Sequence, residues 1–539
     1  MLLSRILSVL IVFSAISIRA GTWTALTHQA PDSINLMLLL PDGTVMAQGD
    51  EETNWYRLTP DIHGSYANGT WTNLAGMHYV REYFSSDVLT NGQVFVAGGE
   101  FGNGSSTAET YDPIANKWTV APPQPNFNTF LDSCSEVLPD GNVLIAPVTP
   151  ANFGETLIWN TASNNWSIGP TLYRGDDQDE ASWVKLPDGS ILTVDPYPNS
   201  LNSERYIPSL NQWINDGNVG FGLYSIGGEL GAAFLLPNGK AFYLGGNGNT
   251  ALYTPTGTTN AGTWAAGPVI PNGLGINDGP AAMMMNGKIL CAVGNATNYN
   301  EPTYFYEYDP VANSFSQVNG PTGTTDPVPP LQGMMLDLPD GSVLYSHEGN
   351  DLYIYRTTGT PLAAGQPTIS GVTANNDGSF TLSGTLLNGI SEGAAYGDDA
   401  QMASNYPLIR LTNSAGNIYY ERTYNWSSTG VMTGSTPETT QFTNSAGVPW
   451  GTYSLVVVAN GISSAPISFV LQPKLTLVQS GGNVILSWPT NSGGLALQYT
   501  TSLVPPVTWS SNLQRAFIIN GQNVVTNPLT GTEMFFRLQ

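Results

Sequence analysis

Residues 138–145 read Leu138-Pro139-Asp140-Gly141-Asn142-Val143-Leu144-Ile145, a turn dipeptide followed by an apolar run. Asp-Gly or Asn-Gly between apolar runs predicts a tight β-hairpin, because glycine and asparagine tolerate a positive φ. The dipeptide recurs with a nearly regular period of about 50 residues, which is typical of a repeat protein. Its seven copies are Asp42-Gly43, Asn91-Gly92, Asp140-Gly141, Asp188-Gly189, Asn238-Gly239, Asn286-Gly287 and Asp340-Gly341.

Two aromatic series share this period at other phases. Each repeat therefore predicts two strands around the turn, a tyrosine-bearing strand and a tryptophan-bearing strand, and four such strands form one blade of a β-propeller. The first series is Tyr56, Tyr111, Trp159, Tyr206, Tyr253, Tyr308 and Tyr355, and the second is Trp71, Trp118, Trp166, Trp213, Trp264 and Phe315.

The seventh repeat has no closing aromatic, and the N-terminal region supplies a candidate. Gly21-Thr22-Trp23 matches Gly69-Thr70-Trp71 and Gly262-Thr263-Trp264. We therefore expect the N-terminal strand to complete blade seven of a propeller that spans residues 21–360.

The rest of the chain predicts two further β units after a linker at 357–367. Residues 368–471 contain alternating strands such as 452–458, which favour an immunoglobulin-like sandwich. Residues 473–539 predict a small C-terminal β module. The fold class is therefore all-β: a seven-bladed propeller, a sandwich and a small module.

The N-terminus predicts an exported protein. Residues 1–20 combine a basic start, a short apolar run and Ala20, the pattern of a signal peptide. The expected location is secreted or associated with the cell surface, with no transmembrane segment in the mature chain. The net charge of −24 argues against nucleic-acid binding, because phosphates would be repelled, and leaves neutral ligands and cations as partners.

The segment Val96-Ala97-Gly98-Gly99, followed by Tyr111-Asp112-Pro113 and Trp118, is similar to a full kelch motif. The chain thus resembles the kelch and galactose-oxidase group, in which a sandwich follows the propeller. The resemblance implies a copper site of two tyrosines, two histidines and a cysteine. Cys134 matches the cysteine of that site. Acids stand at Asp179-Glu180, where the resemblance places the tyrosine cross-linked to the cysteine, and Leu331-Gln332 stands in place of the family's Tyr-His pair. A copper cofactor and oxidase activity are therefore disfavoured.

One acidic series shares the repeat and precedes the turns of blades two to six by eight or nine residues. This phase leads into the innermost strand, so we expect the side chains to converge at the mouth of the central funnel. A sandwich loop with Asp398 and Asp399 would lean over the same mouth if it follows the family's path. The series is Glu82, Asp132, Glu180, Glu229 and Asp278.

Crowded carboxylates repel one another unless they are protonated or share a cation. The ring is therefore a candidate calcium site, a set of acid–base groups acting on a sugar, or a solvated acidic rim. Arg81 and Arg174 lie close enough in sequence to neutralise part of it.

The expected function is a secreted ligand-binding or scaffold protein, more a binder than an enzyme, with an extracellular glycan or protein as ligand. Carbohydrate is favoured by the resemblance and by the many aromatic residues. The alternatives are a carbohydrate-active enzyme that uses the acidic ring and a cell-surface adhesion protein.

Overall fold

A computed structural model describes residues 21–50, 52–196, 201–396, 400–403, 405–445, 447–490, 495–512, 514–530 and 533–539. These residues form β-strands joined by turns and loops, with short 3-10 helices at Pro271–Gly273, Pro330–Gln332 and Ala363–Gly365. In this part of the chain no helix has the length and apolarity needed to cross a bilayer.

The described residues up to Arg356 form seven antiparallel sheets built on four strands each, numbered here in chain order. The fourth strand of sheet 7 is β1 (Thr22–Ala25), the first of the described strands. Sheet 1 contains β2 (Ile34–Leu39), β3 (Val45–Gly49), β4 (Trp55–Thr59) and β5 (Thr70–Asn73), and sheet 2 contains β7 (Ser85–Val88), β8 (Val94–Ala97), β10 (Ala108–Asp112) and β11 (Lys117–Val120), beside the separate pair β6 (Arg81–Glu82) and β9 (Phe101–Gly102). Sheet 3 contains β12 (Ser135–Val137), β13 (Val143–Ile145), β14 (Leu157–Asn160) and β15 (Asn165–Ile168), sheet 4 contains β16 (Trp183–Lys185), β17 (Ile191–Val194), β18 (Asn202–Ile207) and β19 (Gln212–Asn218), and sheet 5 contains β20 (Ala233–Leu235), β21 (Ala241–Leu244), β22 (Thr250–Thr254) and β23 (Thr263–Ala266). Sheet 6 contains β25 (Ala281–Met283), β26 (Ile289–Asn295), β27 (Tyr304–Asp309) and β28 (Ser314–Val318), with the short β24 (Leu274–Gly275) paired to β26, and sheet 7 contains β29 (Met334–Asp337), β30 (Val343–Ser346) and β31 (Tyr353–Arg356) together with β1.

The sheets follow one another in a closed circle, called the ring below. Strand β1 lies antiparallel to β31 with Trp23 opposite Tyr355, so the first described strand is paired with the end of the repeat region. Hydrogen bonds join each sheet to the next and sheet 7 to sheet 1. They run from Gln48 Nε2 to Arg81 O (2.6 Å), Ser85 Oγ to Ser133 O, Cys134 Sγ to Ala181 O (2.6 Å), Ser182 Oγ to Gly231 O (2.7 Å), Asp278 N to Leu230 O (3.0 Å), Tyr355 Oη to Glu307 Oε1 (2.7 Å) and Ser346 Oγ to Ile34 O.

Two antiparallel sheets follow the ring along the chain, and they pack together around one apolar core that includes Leu382, Ile409 and Phe442. We call them the two-sheet unit. Its first sheet contains β32 (Thr368–Ala374), β33 (Phe380–Thr385), β38 (Thr423–Tyr424) and β39 (Glu438–Phe442). Its second sheet contains β36 (Leu408–Thr412), β37 (Ile418–Glu421), β40 (Gly451–Ala459), β41 (Ile462–Ser463) and β42 (Ile467–Leu471).

A hairpin from the two-sheet unit enters the middle of the ring. It consists of β34 (Gly393–Tyr396) and β35 (Ala400–Ala403). Strand β34 pairs with β25, and the hairpin also contacts the innermost strands β2, β7, β12 and β29. The backbone of the hairpin thus extends sheet 6 inside the ring.

The two-sheet unit covers the end of the ring that carries the Asp-Gly and Asn-Gly turns. Tyr420 packs against Gly43, and Arg422 Nη2 donates to the carbonyl of Asn91 at 2.7 Å. Thr429 Oγ1 donates to the carbonyl of Leu138 at 3.1 Å. We call this covered end the turn end, and the opposite end, where the innermost strands begin, the loop end.

The C-terminal part forms a small separate core around Leu486, Trp488 and Val525. Its strands are β43 (Thr476–Ser480), β44 (Asn483–Pro489), β45 (Leu497–Thr500), β46 (Ser510–Ser511), β47 (Phe517–Ile519), β48 (Gln522–Pro528) and β49 (Phe535–Leu538). One sheet has the order β43–β44–β48–β47 and the other β46–β45–β49.

Candidate functional site at the loop end

The five acids of the repeat series lie in segments that lead into the innermost strands, at the loop end. The repeat phase places them there because each innermost strand starts a few residues after its acid and then runs to the Asp-Gly or Asn-Gly turn. Since the two-sheet unit covers the turn end, the loop end is the side of the ring available to a ligand.

Three acids of the series meet in one group. Glu180, Glu229 and Asp278 each present a carboxylate oxygen, and these oxygens lie within 4.8 Å of one another. We call them the central triad. They come from the loops before sheets 4, 5 and 6, so residues far apart in sequence become neighbours through the curvature of the ring.

Glu229 is the most enclosed member of the central triad, with 9% of its surface exposed. Tyr299 Oη donates a hydrogen bond to its Oε1. Its other oxygen, Oε2, is buried and has no hydrogen-bond partner among the described residues. A buried carboxylate oxygen without a donor or a cation is unfavourable, so Glu229 has the capacity for one more ligand.

The remaining acids of the series enter two further groups. Asp132 lies with Asp179 and Glu180, again with oxygens within 4.8 Å, so this group shares Glu180 with the central triad. Glu82 lies instead with Asp50 and Glu348 in a separate group. The expected single ring is therefore a pair of joined groups and one group apart.

The closeness of the acids at the loop end also raises the pKa of two of them. The pKa of Asp179 is raised by burial and by the negative charges of Asp177 and Glu229. The pKa of Glu100 is raised by burial and by Glu229 and Asp179. Acids from sheets 2, 4 and 5 thus lie within electrostatic reach of one another at the loop end.

Backbone conformation also sets the acids apart. Glu180, Asp278 and Glu348 all adopt a positive φ, in the left-handed region that non-glycine residues seldom occupy. The surrounding loops must hold this backbone, because the conformation is unfavourable for a residue with a side chain. Each of the three side chains is thereby directed by a fixed local geometry.

The two arginines considered as neutralising groups pair with other acids. Arg81 is fully buried, donates to the carbonyls of Gly98 and Gly104, and lies 3.4 Å from Glu109. Arg174 Nη1 lies 2.8 Å from Asp195 Oδ2 and 3.6 Å from Glu204 Oε1. The positive charge of these side chains is directed to Glu109, Asp195 and Glu204.

Asp398 and Asp399 lie outside the described residues. Their hairpin strand β34 is described, and Ala395 stands opposite Ala281 while Ala394 stands opposite Ala282. Because β25 starts at the loop end and β34 runs antiparallel to it, β34 runs from the turn end towards the loop end.

Several loop-end residues were missed at the level of sequence. Asp50, Glu100 and Glu348 follow their turn dipeptides by eight or nine residues, at the exit of the second strand. This second acidic phase was a usable signal, since the second strand returns to the same end at which the first begins. Tyr299 gave no such signal, because it lies in a loop of irregular length.

Exposed aromatic side chains lie in the loops of the same end. Every exposed phenylalanine and tyrosine among the ring's described residues lies in these loops: Phe101, Phe127, Phe153, Tyr173 and Tyr299. Phe101 stands opposite Glu82 in the β6–β9 pair, and the Phe153 ring packs against Gly175, next to Asp176. Apolar faces therefore alternate with carboxylates around the loop end.

A groove between sheets 2 and 3 adds a further apolar surface. It is lined by Tyr79, Pro122, Pro123, Phe127 and Trp166, and Phe127 is fully exposed. Trp166 Nε1 donates to the carbonyl of Pro122 at 3.0 Å, which fixes the indole against the proline segment.

The resemblance assigns four described positions to the family's copper ligands, and these positions hold Cys134, Glu180, Leu331 and Gln332. Cys134 is fully buried and its Sγ donates to the carbonyl of Ala181 at 2.6 Å, while Glu180 stands where the resemblance places the tyrosine. Leu331 and Gln332 lie in the 3-10 helix before β29. Where the resemblance implies phenolate and imidazole ligands, which suit copper, the sequence has a carboxylate, an amide and an apolar side chain at the described positions.

Comparison with known proteins supports the kelch resemblance. The family model for the kelch motif matches residues 83–125, and no curated protein matches the chain. Among solved structures the chain is similar to one described as a novel fungal alcohol oxidase with catalytic diversity among the AA5 family, in complex with copper. The identity is 13%, the TM-score 0.52, and the match covers 84% of this chain and 100% of that one. At this identity the likeness concerns the fold.

Proposed function

We propose that this kelch-containing, galactose-oxidase-like all-β protein is an extracellular ligand-binding protein that recognises carbohydrate at the loop end of its ring. The observation that carries the proposal is the placement of every exposed phenylalanine and tyrosine of the described ring in the loops around the acidic groups.

The proposal includes an architecture. Residues 21–360 form a seven-bladed propeller, 368–471 an immunoglobulin-like sandwich and 473–539 a small β module, and 1–20 act as a signal peptide that directs secretion. The closed circle of seven sheets and the two packed sheets that follow it support the first two assignments. Residues 1–20 lie outside the described residues.

Carbohydrates suit this surface for a physical reason. A pyranose ring has apolar C–H faces that stack on aromatic rings, and hydroxyl groups that donate to carboxylates. Phe153 and Tyr173 are exposed by 79% and 57%, and both lie close in sequence or space to the Asp176–Glu180 segment. Exposed aromatic groups of this kind mark binding surfaces, because they are unfavourable in water.

The closeness of the acids supports a binding role, because carboxylate oxygens that lie within 4.8 Å of one another in each loop-end group can share one ligand. The residues at the copper-ligand positions likewise favour a protein without copper-radical oxidase activity.

A glycan array of plant, algal and microbial polysaccharides, followed by calorimetry on the best ligand, tests the proposal. We expect Phe153→Ala and Tyr173→Ala each to weaken binding by about tenfold, the loss of roughly 1.4 kcal/mol of stacking. Ile114→Ala and Val311→Ala are matched controls, because both side chains are exposed in the turns between the third and fourth strands, at the turn end. Silence across the array, or equal losses in the controls, would contradict carbohydrate binding at the loop end.

A further inference from the structure

We propose that the central triad of Glu180, Glu229 and Asp278 is a calcium site. The inference goes beyond carbohydrate binding, since it assigns an inorganic ligand to three particular carboxylates and stands whether or not a glycan is bound.

The spacing of the triad matches the size of a calcium coordination sphere. Calcium–oxygen distances are about 2.3–2.6 Å, so two oxygens on one ion lie at most about 5 Å apart. The three carboxylate oxygens lie within 4.8 Å of one another. A single ion placed between them can therefore reach all three oxygens.

Glu229 supplies an observation independent of the acidic clustering. It is more than nine-tenths buried, and its Oε2 has no hydrogen-bond partner among the described residues. The Tyr299 hydroxyl holds Oε1 and thereby sets the orientation of the carboxylate. A positioned, desolvated oxygen beside two other carboxylates is suited to a cation, because a cation both satisfies the oxygen and offsets the neighbouring negative charges.

Local charge points to a divalent ion rather than to a basic side chain. Arg81 and Arg174, the nearby arginines in sequence, are engaged with Glu109, Asp195 and Glu204. The adjoining group of Asp132, Asp179 and Glu180 adds negative charge from the other side of Glu180. Hard oxygen ligands that carry three formal negative charges select calcium over softer metals.

The site can be tested with calcium and terbium alone. Terbium substitutes for calcium, and its luminescence is sensitised by a nearby tyrosine, a role available to Tyr299 through its bond to Glu229. We expect calorimetry to give a dissociation constant for calcium of about 0.1–1 mM, the range found for extracellular calcium-binding modules. We also expect a calcium-dependent rise in melting temperature and terbium emission that calcium competes away.

Glu229→Gln should weaken calcium binding by more than about tenfold, because it removes one charge and leaves the shape of the side chain. Glu82→Gln is the matched control, since Glu82 is similarly buried and belongs to the same repeat series but to a different group. No calcium binding in the wild type, full binding in Glu229→Gln, or an equal loss in Glu82→Gln would each overturn the assignment. Circular dichroism and the melting temperature in chelator identify a variant that does not fold, and Asp278→Asn then replaces it. A failed glycan array leaves these outcomes unaffected.

Discussion

Gly43 illustrates how single residues set the geometry of the ring. It and its six equivalents in the turn dipeptides all adopt a positive φ, where a residue with a side chain is strained. At Gly43 a Cβ atom would also lie 2.5 Å from Cγ of Tyr420 in the two-sheet unit. At Gly189 the nearest atom would be Pro139 Cγ, at 3.5 Å.

We therefore expect Gly43→Ala to destabilise the protein more than Gly189→Ala. Both substitutions cost roughly 1–2 kcal/mol for the left-handed backbone, and only Gly43→Ala adds the clash with Tyr420. Urea unfolding followed by tryptophan fluorescence measures the difference between the two midpoints. Equal midpoints would show that the close contact between Gly43 and Tyr420 does not affect the free energy of unfolding.

At the scale of elements, the tryptophan-bearing outer strands link neighbouring sheets. In four of them the indole N–H donates to a carbonyl in the segment that leads from the preceding sheet into the tryptophan's own sheet. The donors and acceptors are Trp71 and His28 (3.2 Å), Trp118 and Ala75 (2.9 Å), Trp166 and Pro122 (3.0 Å), and, in sheet 7, Trp23 and Asn319 (2.6 Å). The repeat thus encodes an inter-sheet hydrogen bond as well as an aromatic contact.

Cys134 belongs to a corresponding series at the inner edge of the ring. Its thiol bonds to the carbonyl of Ala181, as Ser182 Oγ bonds to the carbonyl of Gly231 and Ser85 Oγ to that of Ser133. The thiol at the position that the resemblance assigns to the family's cysteine thus bonds to the segment that leads into sheet 4. Cys134 and Cys291 are both buried thiols rather than partners in a disulfide.

Trp118→Phe should cost about 1 kcal/mol of unfolding free energy, because it removes the N–H donor and leaves the Ala75 carbonyl unpaired while most of the buried area remains. Trp118→Ala should cost about 3–5 kcal/mol, since it also opens a cavity. Chemical denaturation of both variants separates the hydrogen bond from the packing. If Trp118→Phe is as stable as the wild type, the hydrogen bond between Trp118 and Ala75 does not contribute to stability.

The strand pattern of the ring was predictable from the sequence, because it depends on local chemistry. The seven turn dipeptides do lie between the first and second strands of seven sheets, and Trp23 does stand opposite Tyr355. The grouping of the acids was not predictable in detail. Glu82 separates from the central triad and joins Asp50 and Glu348, because loop paths between the sheets, rather than repeat phase, decide which oxygens meet.

At the scale of the whole molecule, several buried acids have a pKa raised above its usual value. Burial raises the pKa of Asp87 to about 7, of Glu204 to about 7, of Asp195 to about 8 and of Glu421 to about 7. Lys185 lies between the ring and the two-sheet unit, and its Nζ is 2.7 Å from Glu136 and 3.0 Å from Glu392. Burial, and then the negative charge of Glu392, raise the pKa of Glu136. These acids bind protons more tightly in the folded state than in the unfolded state.

The protein should therefore be more stable at about pH 5 than at about pH 8. A raised folded-state pKa contributes stability that is complete below the unfolded value near 4 and is lost as pH rises through about 7–8. Melting temperatures measured at constant ionic strength in chelator test this, since chelator removes any effect of calcium. A melting temperature that rises steadily to about pH 8 would contradict the assignment.

The sequence by itself determined the hairpins, their period, the paired start and end of the ring and the end at which the acids lie. These follow from positive-φ turns, alternation along strands and a repeat length, all of which act within a few residues. Only the tertiary structure decided that Glu180, Glu229 and Asp278 share one small volume, that Tyr299 holds Glu229, and that a hairpin of the two-sheet unit enters the ring. Distances between residues in different repeats depend on how the sheets curve and how their loops pack, and no local rule specifies either.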